Sequence, residues 1–153
     1  MDEILRRKWH LLFMIFILGL LIGLVVCKPY AAPHFTGEER VVSLKVPAVT
    51  SSKGVMVNLT TIVKPGSGKI LVAVNDILTG YTAQSSARNA AKAASKFTGI
   101  GLDDLDIIYL IQANASTIDG PSAGAAMAVS TVSALLGHPL RDGVTMTGSI
   151  DED

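Results

Sequence analysis

Two hydrophobic patterns divide the chain. Leu11 to Cys27 is an unbroken apolar run of 17 residues, whereas from residue 40 onward short β-branched stretches alternate with alanine-rich ones. The run is preceded by Arg6-Arg7-Lys8 and bracketed by Trp9 and Tyr30. It predicts an uncleaved transmembrane helix, because at about 1.5 Å per residue, extended by interfacial aromatics, it approaches a hydrocarbon core of roughly 30 Å. The competing reading is a signal peptide. Its apolar region is usually about 7–15 residues, and no small-x-small site follows, since Tyr30 stands two before Ala32 and Pro29 two before Ala31. Three basic residues before the run, against Lys28 alone after it, place the N-terminus in the cytoplasm and the body outside. Gly19 and Gly23, four apart, are spaced to let two such helices approach.

Residues 28–39, with Pro29, Pro33 and Gly37, read as a linker between the anchor (11–27, after a basic segment 1–10) and a folded part over 40–153. In that part Val41–Val46, Val55–Val63 and Ile70–Val74 predict strands. The Pro65-Gly66-Ser67-Gly68 turn makes the last two a hairpin. Ala83 to Phe97 predicts an amphipathic helix, with Ala83, Ala87, Ala90, Ala91, Ala94 and Phe97 on its packed stripe and Gln84, Arg88, Lys92 and Lys96 opposite. Leu105–Ile111 predicts a fourth strand, Pro121–Leu136 a buried helix stopped by Gly137-His138-Pro139, and Val144–Ser149 a last strand. Strands alternating with helices in this order imply a mixed α/β fold rather than a bundle or sandwich.

Composition narrows the function classes. Aromatics are only 5% of the chain, so the core is aliphatic and alanine-rich. Residues 29–153 carry nine basic and eleven acidic side chains, which gives no electrostatic case for nucleic acid. With Cys27 the sole cysteine and His10, His34 and His138 scattered, neither a disulfide framework nor a metal site is expected, and no cofactor motif is present. Gly68-Lys69 is not a phosphate loop, because Ile70 stands where Ser or Thr is needed and the upstream glycine is missing. Asn58-Leu59-Thr60 and Asn114-Ala115-Ser116 fit the glycosylation acceptor pattern.

The remaining chemistry is concentrated in Thr117–Gly124, Thr-Ile-Asp-Gly-Pro-Ser-Ala-Gly. Asp119 is expected to cap the buried helix, Gly120 and Pro121 to turn the chain, and Ser122 to sit in the first helical turn beside Ala123. A serine there is either a second cap or a nucleophile. The second role suits the terminus, because unpaired N–H groups favour the negative charge that develops on a carbonyl under attack.

Asp119-Gly120-Pro121-Ser122-Ala123-Gly124, followed by the alanine-rich helix, the Gly137–Gly143 link and Met146-Thr147-Gly148, resembles the proteolytic domain of the Lon protease family. Pro65–Ile70, Gln84–Ala87 and Gly54-Val55 extend the resemblance over roughly Leu44–Ile150. It implies a Lon-like α/β fold over 40–153, incomplete at its C-terminus, and a Ser/Lys dyad cleaving polypeptides. In that dyad Ser122 matches the nucleophile, Thr147 a residue orienting the lysine, and Asp119 an acidic neighbour. The family's lysine lies in a Gly-Gly-x-x-x-Lys segment downstream of Asp153, and none of Lys45, Lys53, Lys64, Lys69, Lys92 or Lys96 takes its place. The anchor without an ATPase module is similar to small archaeal relatives, and the resemblance implies a homo-oligomer, a hexameric ring. Two readings follow: a truncated membrane-anchored serine peptidase, or an inactive tethered interaction module.

Overall fold

A computed structural model describes residues 2–26, 35, 37–50, 53–75, 80–114 and 119–151. The chain divides into two compact units, residues 1–31 and 32–153. The first contains one helix, α1 (Asp2–Val26). Glu3, Arg6, Arg7 and Lys8 occupy its first turns, and the apolar run's described side chains, from Leu11 to Ile22, are all exposed. Within α1 the apolar run covers residues 11–26, about 24 Å at about 1.5 Å per residue, which is short of a bilayer core of roughly 30 Å. Among the described residues no helix is long and apolar enough to cross a membrane. The expected single-pass anchor, its cytoplasmic N-terminus and the outside location of the body are therefore corrected. Most of the expected linker, 28–34 and 36, lies outside the described residues.

The second unit is a two-layer α/β structure. Strands β1 (Arg40–Val49), β2 (Gly54–Pro65), β3 (Ile70–Val74) and β4 (Leu105–Gln112) form one sheet in the order β1-β2-β4-β3. Helices α2 (Tyr81–Thr98) and α3 (Gly124–Leu136) pack on the sheet and on each other. β1 runs antiparallel to β2, β2 antiparallel to β4, and β3 parallel to β4. Alternation in β2 and β4 turns Val57, Leu59, Thr61 and Val63, with Leu105, Ile107, Tyr109 and Ile111, toward the helices, where all are buried.

The expected β2–β3 hairpin does not form, because β4 lies between the two strands. The turn that suggested it is satisfied by β4 instead. Gly66 and Gly68 donate their N–H groups to the carbonyls of Asp104 and Leu105, and the Asp106 carboxylate accepts from the N–H groups of Ser67 and Lys69 at 2.8 and 3.0 Å. In its central place β4 has partners on both sides and buries Leu105, Ile107, Tyr109 and Ile111.

α2 buries Ala83, Ala87, Ala90, Ala91 and Ala94 as expected and leaves Gln84, Arg88, Lys92 and Lys96 outside. Phe97 departs from the expectation. It is 76% exposed, and Ser86 and Thr98 take the buried flank, because an alanine-width seam lets α2 and α3 approach closely and has no room for a phenyl ring. α3 ends at the expected Gly137, in the left-handed conformation, while the Arg40 guanidinium of β1 donates to the carbonyls of Ala134 and Leu135, both at 2.9 Å. That placement puts a cation on the negative end of the helix.

Residues 144–149 do not form the last expected strand. A strand needs a ladder, and this segment's backbone bonds go to the start of α3 instead: Gly148 donates to the Ser122 carbonyl at 2.7 Å and accepts from the Ala125 N–H at 2.9 Å.

Candidate functional site

The buried helix begins in two steps, a 3-10 turn (Pro121–Ala123) running into α3. Gly120 precedes it at φ 126°, a conformation reserved in practice for glycine, and Pro121 supplies a fixed φ without a donor where none is needed. Ser122 is thereby held exposed on the first turn, while Ala126, Met127, Ala128 and Ser130 further along are buried.

Asp119 does not cap this helix. The turn's N-cap is Gly120, with no side-chain capping bond. The Asp119 carboxylate faces the start of α2 instead: it accepts a hydrogen bond from the Thr82 hydroxyl, and the backbone N–H groups of Gly120, Gly80 and Ala83 lie close enough to favour its charged form. α2 begins at Gly80, which has no side chain to cap it, so the carboxylate of a residue distant in sequence occupies the electropositive end. A Cβ on Gly80 would collide with that carboxylate, which accounts for the glycine. These groups, led by Thr82 and then Gly120, hold the Asp119 carboxyl below its ordinary range.

On its other side the serine turn is tied to residues 147–148. The Thr147 hydroxyl donates to the Ser122 carbonyl at 3.1 Å, beside the Gly148 N–H. Asp119, Gly120, Ser122, Ala123 and Thr147 all border one cavity of about 610 Å³, whose far wall is the β1–β2 end, including Val46, Ala48, Val55 and Val57. Of the expected site residues, only Pro121 is outside its lining. The lining is predominantly apolar, and among the described residues bordering the cavity there is no lysine or histidine. Among the described residues no group of three or more His, Cys, Asp or Glu side chains could hold a metal ion.

Thr82 and Gly80 escape a reading of the sequence. Thr82 lies just before the expected helix Ala83–Phe97, and only the fold brings it to a partner 37 positions away.

The geometry coincides with a family match. The sequence matches the Lon protease (S16) C-terminal proteolytic domain over residues 24–152, most of its length. The chain belongs to that family. It is similar to the Lon protease of Nitratidesulfovibrio vulgaris, 35% identical over 108 residues, which is 67% of this chain and 13% of that protein. Lon protease 1 of Sorangium cellulosum is 38% identical over 108 residues, covering 66% and 13%. The Lon protease of Brucella abortus is 31% identical over 119 residues, covering 74% and 14%. The matched stretch is thus a small fraction of each relative.

Proposed function

We propose that residues 40–153 form part of a Lon-like serine peptidase domain and that Ser122 is its nucleophile. The observation that carries this reading is the position of Ser122: exposed on the first turn of a buried helix, on the rim of an apolar cavity, with its own carbonyl tied back by Thr147 and Gly148. A polypeptide lying in the cavity presents a carbonyl carbon to the Ser122 oxygen. Attack forms the C–O bond as a base takes the hydroxyl proton. Charge collecting on the carbonyl oxygen is stabilised by backbone N–H groups of the helix start, and the amine leaves carrying that proton. Water then hydrolyses the ester and restores the serine.

The base is a lysine from outside the described cavity lining. In an apolar setting its charged form is desolvated, which lowers its pKa and lets the neutral amine accept a proton near neutral pH. Assembly into a homo-oligomeric ring, a hexamer by family resemblance, belongs to the same proposal. Among the described residues the cavity is lined by no lysine or histidine, which favours one second reading, an interaction module that keeps the fold without the reaction.

The test supplies the base from solution. The chain is incubated with a peptidyl fluorophosphonate, with and without n-propylamine, and the adduct is located by mass spectrometry. The peptidase reading expects an amine-dependent adduct on Ser122 that is absent from Ser122→Ala. Reaction at scattered hydroxyls, or none, supports the interaction module instead.

A further inference from the structure

We infer that Thr82 is a positioning residue for Ser122, acting through a hydrogen-bonded clasp between the first turn of α2 and the serine turn. The inference rests on Ser122 being the nucleophile. One hydroxyl does two things: Thr82 Oγ1 accepts the Gly120 N–H at 3.0 Å and donates its proton to an Asp119 oxygen. Both partners immediately precede the Pro121-Ser122 step. The same carboxylate lies against the backbone of Gly80, so Asp119 and Gly120 are fixed to α2 rather than to the helix they introduce.

The need for such a clasp follows from the local backbone. Gly120, at φ 126°, lies outside the wells that ordinary residues occupy, and the 3-10 turn has no side-chain cap of its own. Pro121 fixes only its own φ, so the turn's attachment to α2 comes through Gly120 and Asp119. On the downstream side, Thr147 and Gly148 hold the Ser122 carbonyl, and Gly148 accepts the Ala125 N–H. The upstream anchor is Thr82, and a nucleophile must be held within about 0.5 Å of its productive position for its geometry to be used.

The substitution that isolates this role is Thr82→Val, which keeps the shape and removes both bonds. Thr82→Ser keeps both bonds. The full chain is used in each case. Amide hydrogen exchange is read at Gly120, with Ile107 in the central strand as the control for folding. Labelling by the peptidyl fluorophosphonate is then timed at Ser122 in the presence of n-propylamine. Loss of hydrogen bonds of this kind, one of them to a charged group, corresponds to roughly a tenfold effect or more.

Thr82→Val is expected to speed Gly120 exchange about tenfold and slow Ser122 labelling by about the same factor, with Ile107 unchanged and both values restored in Thr82→Ser. Unchanged Gly120 exchange in Thr82→Val overturns the clasp. Faster exchange with an unchanged labelling rate overturns the positioning role. Absence of a Ser122 adduct in the wild-type chain overturns the nucleophile reading and the positioning role with it. That failure is separable from failure of the clasp, because exchange is measured without the reagent.

Discussion

The seat of α3 on the sheet rests partly on two buried hydroxyl pairs, and one of them has a direction that can be tested. Tyr109 Oη lies 2.7 Å from Thr131 Oγ1, which itself donates to the Met127 carbonyl at 2.8 Å. Thr131 has a single proton, so Tyr109 must be the donor of the pair. Tyr109→Phe removes that donor and leaves Thr131 its bond to Met127, a loss of about 1 kcal/mol. Thr131→Val instead strands a fully buried phenolic O–H without an acceptor, and should cost about 2–3 kcal/mol. With both changes the stranded group is gone, so the double variant should sit near Tyr109→Phe alone, more stable than additivity by about 2 kcal/mol. Urea unfolding followed by circular dichroism measures all four corners, and about 4 °C of melting temperature accompanies each kcal/mol in a domain of this size. A Thr131→Val variant more stable than Tyr109→Phe, or strict additivity, would refute the assigned direction.

Arg40→Met should destabilise the fold by about 1–2 kcal/mol in the same assay, because it removes two charge-assisted bonds to the C-terminal carbonyls of α3. Gly80→Ala should displace the Asp119 carboxylate and raise its pKa back toward 3.8, read by carbon-13 NMR titration; an unchanged titration would mean the carboxylate does not rest on the start of α2. The backbone N–H groups of Ser67 and Lys69, helped by the charge of Lys69, hold the Asp106 carboxyl below 3.8. A carboxylate depressed in the folded state contributes stability above its unfolded value and loses it as pH falls through the folded one. Stability should therefore decline as pH drops below about 4, and Asp106→Asn should flatten that decline, seen as urea midpoints at pH 6 and pH 3 that lie closer together than in the wild type.

Local signals identified most of the elements, because each depends on a period within its own segment. The alanine stripe of α2, the stop at Gly137 and the four β-branched runs are of this kind. Pairing was not legible in the same way. Pro65–Gly68 looks like a hairpin turn whichever strand lies alongside β2, and the choice of β4 depends on Asp106 and the carbonyls of Asp104 and Leu105, some 40 residues on. Residues 144–149 carry strand residues but spend their bonds on the start of α3, so β-propensity there describes an extended segment without a ladder. The serine turn itself was recognisable from its residues, and two of its neighbours, Thr82 and Gly80, were not. Asp119 has the identity of a cap, and only the tertiary structure decides which of two helix starts it caps.

That choice bears on how the site is built. A cap on α3 would have placed a carboxylate against the N–H groups beside Ser122, where an anionic intermediate is meant to form, and the two negative charges would compete for the same donors. With Asp119 turned to α2, its charge is met by the Thr82 hydroxyl and the nearby start of that helix, and the Gly120 N–H is taken by Thr82. The carboxylate thus tethers the turn from its upstream side without covering the helix start. Asp119→Asn keeps the size of the side chain and removes its charge, so it should weaken the tether while adding no donor competition at Ser122. If the carboxylate acts only through position, Ser122 labelling should fall with Asp119→Asn as far as it does with Thr82→Val, and combining the two should cost little more than either. Independent, multiplying losses would instead assign Asp119 a role of its own beside the nucleophile.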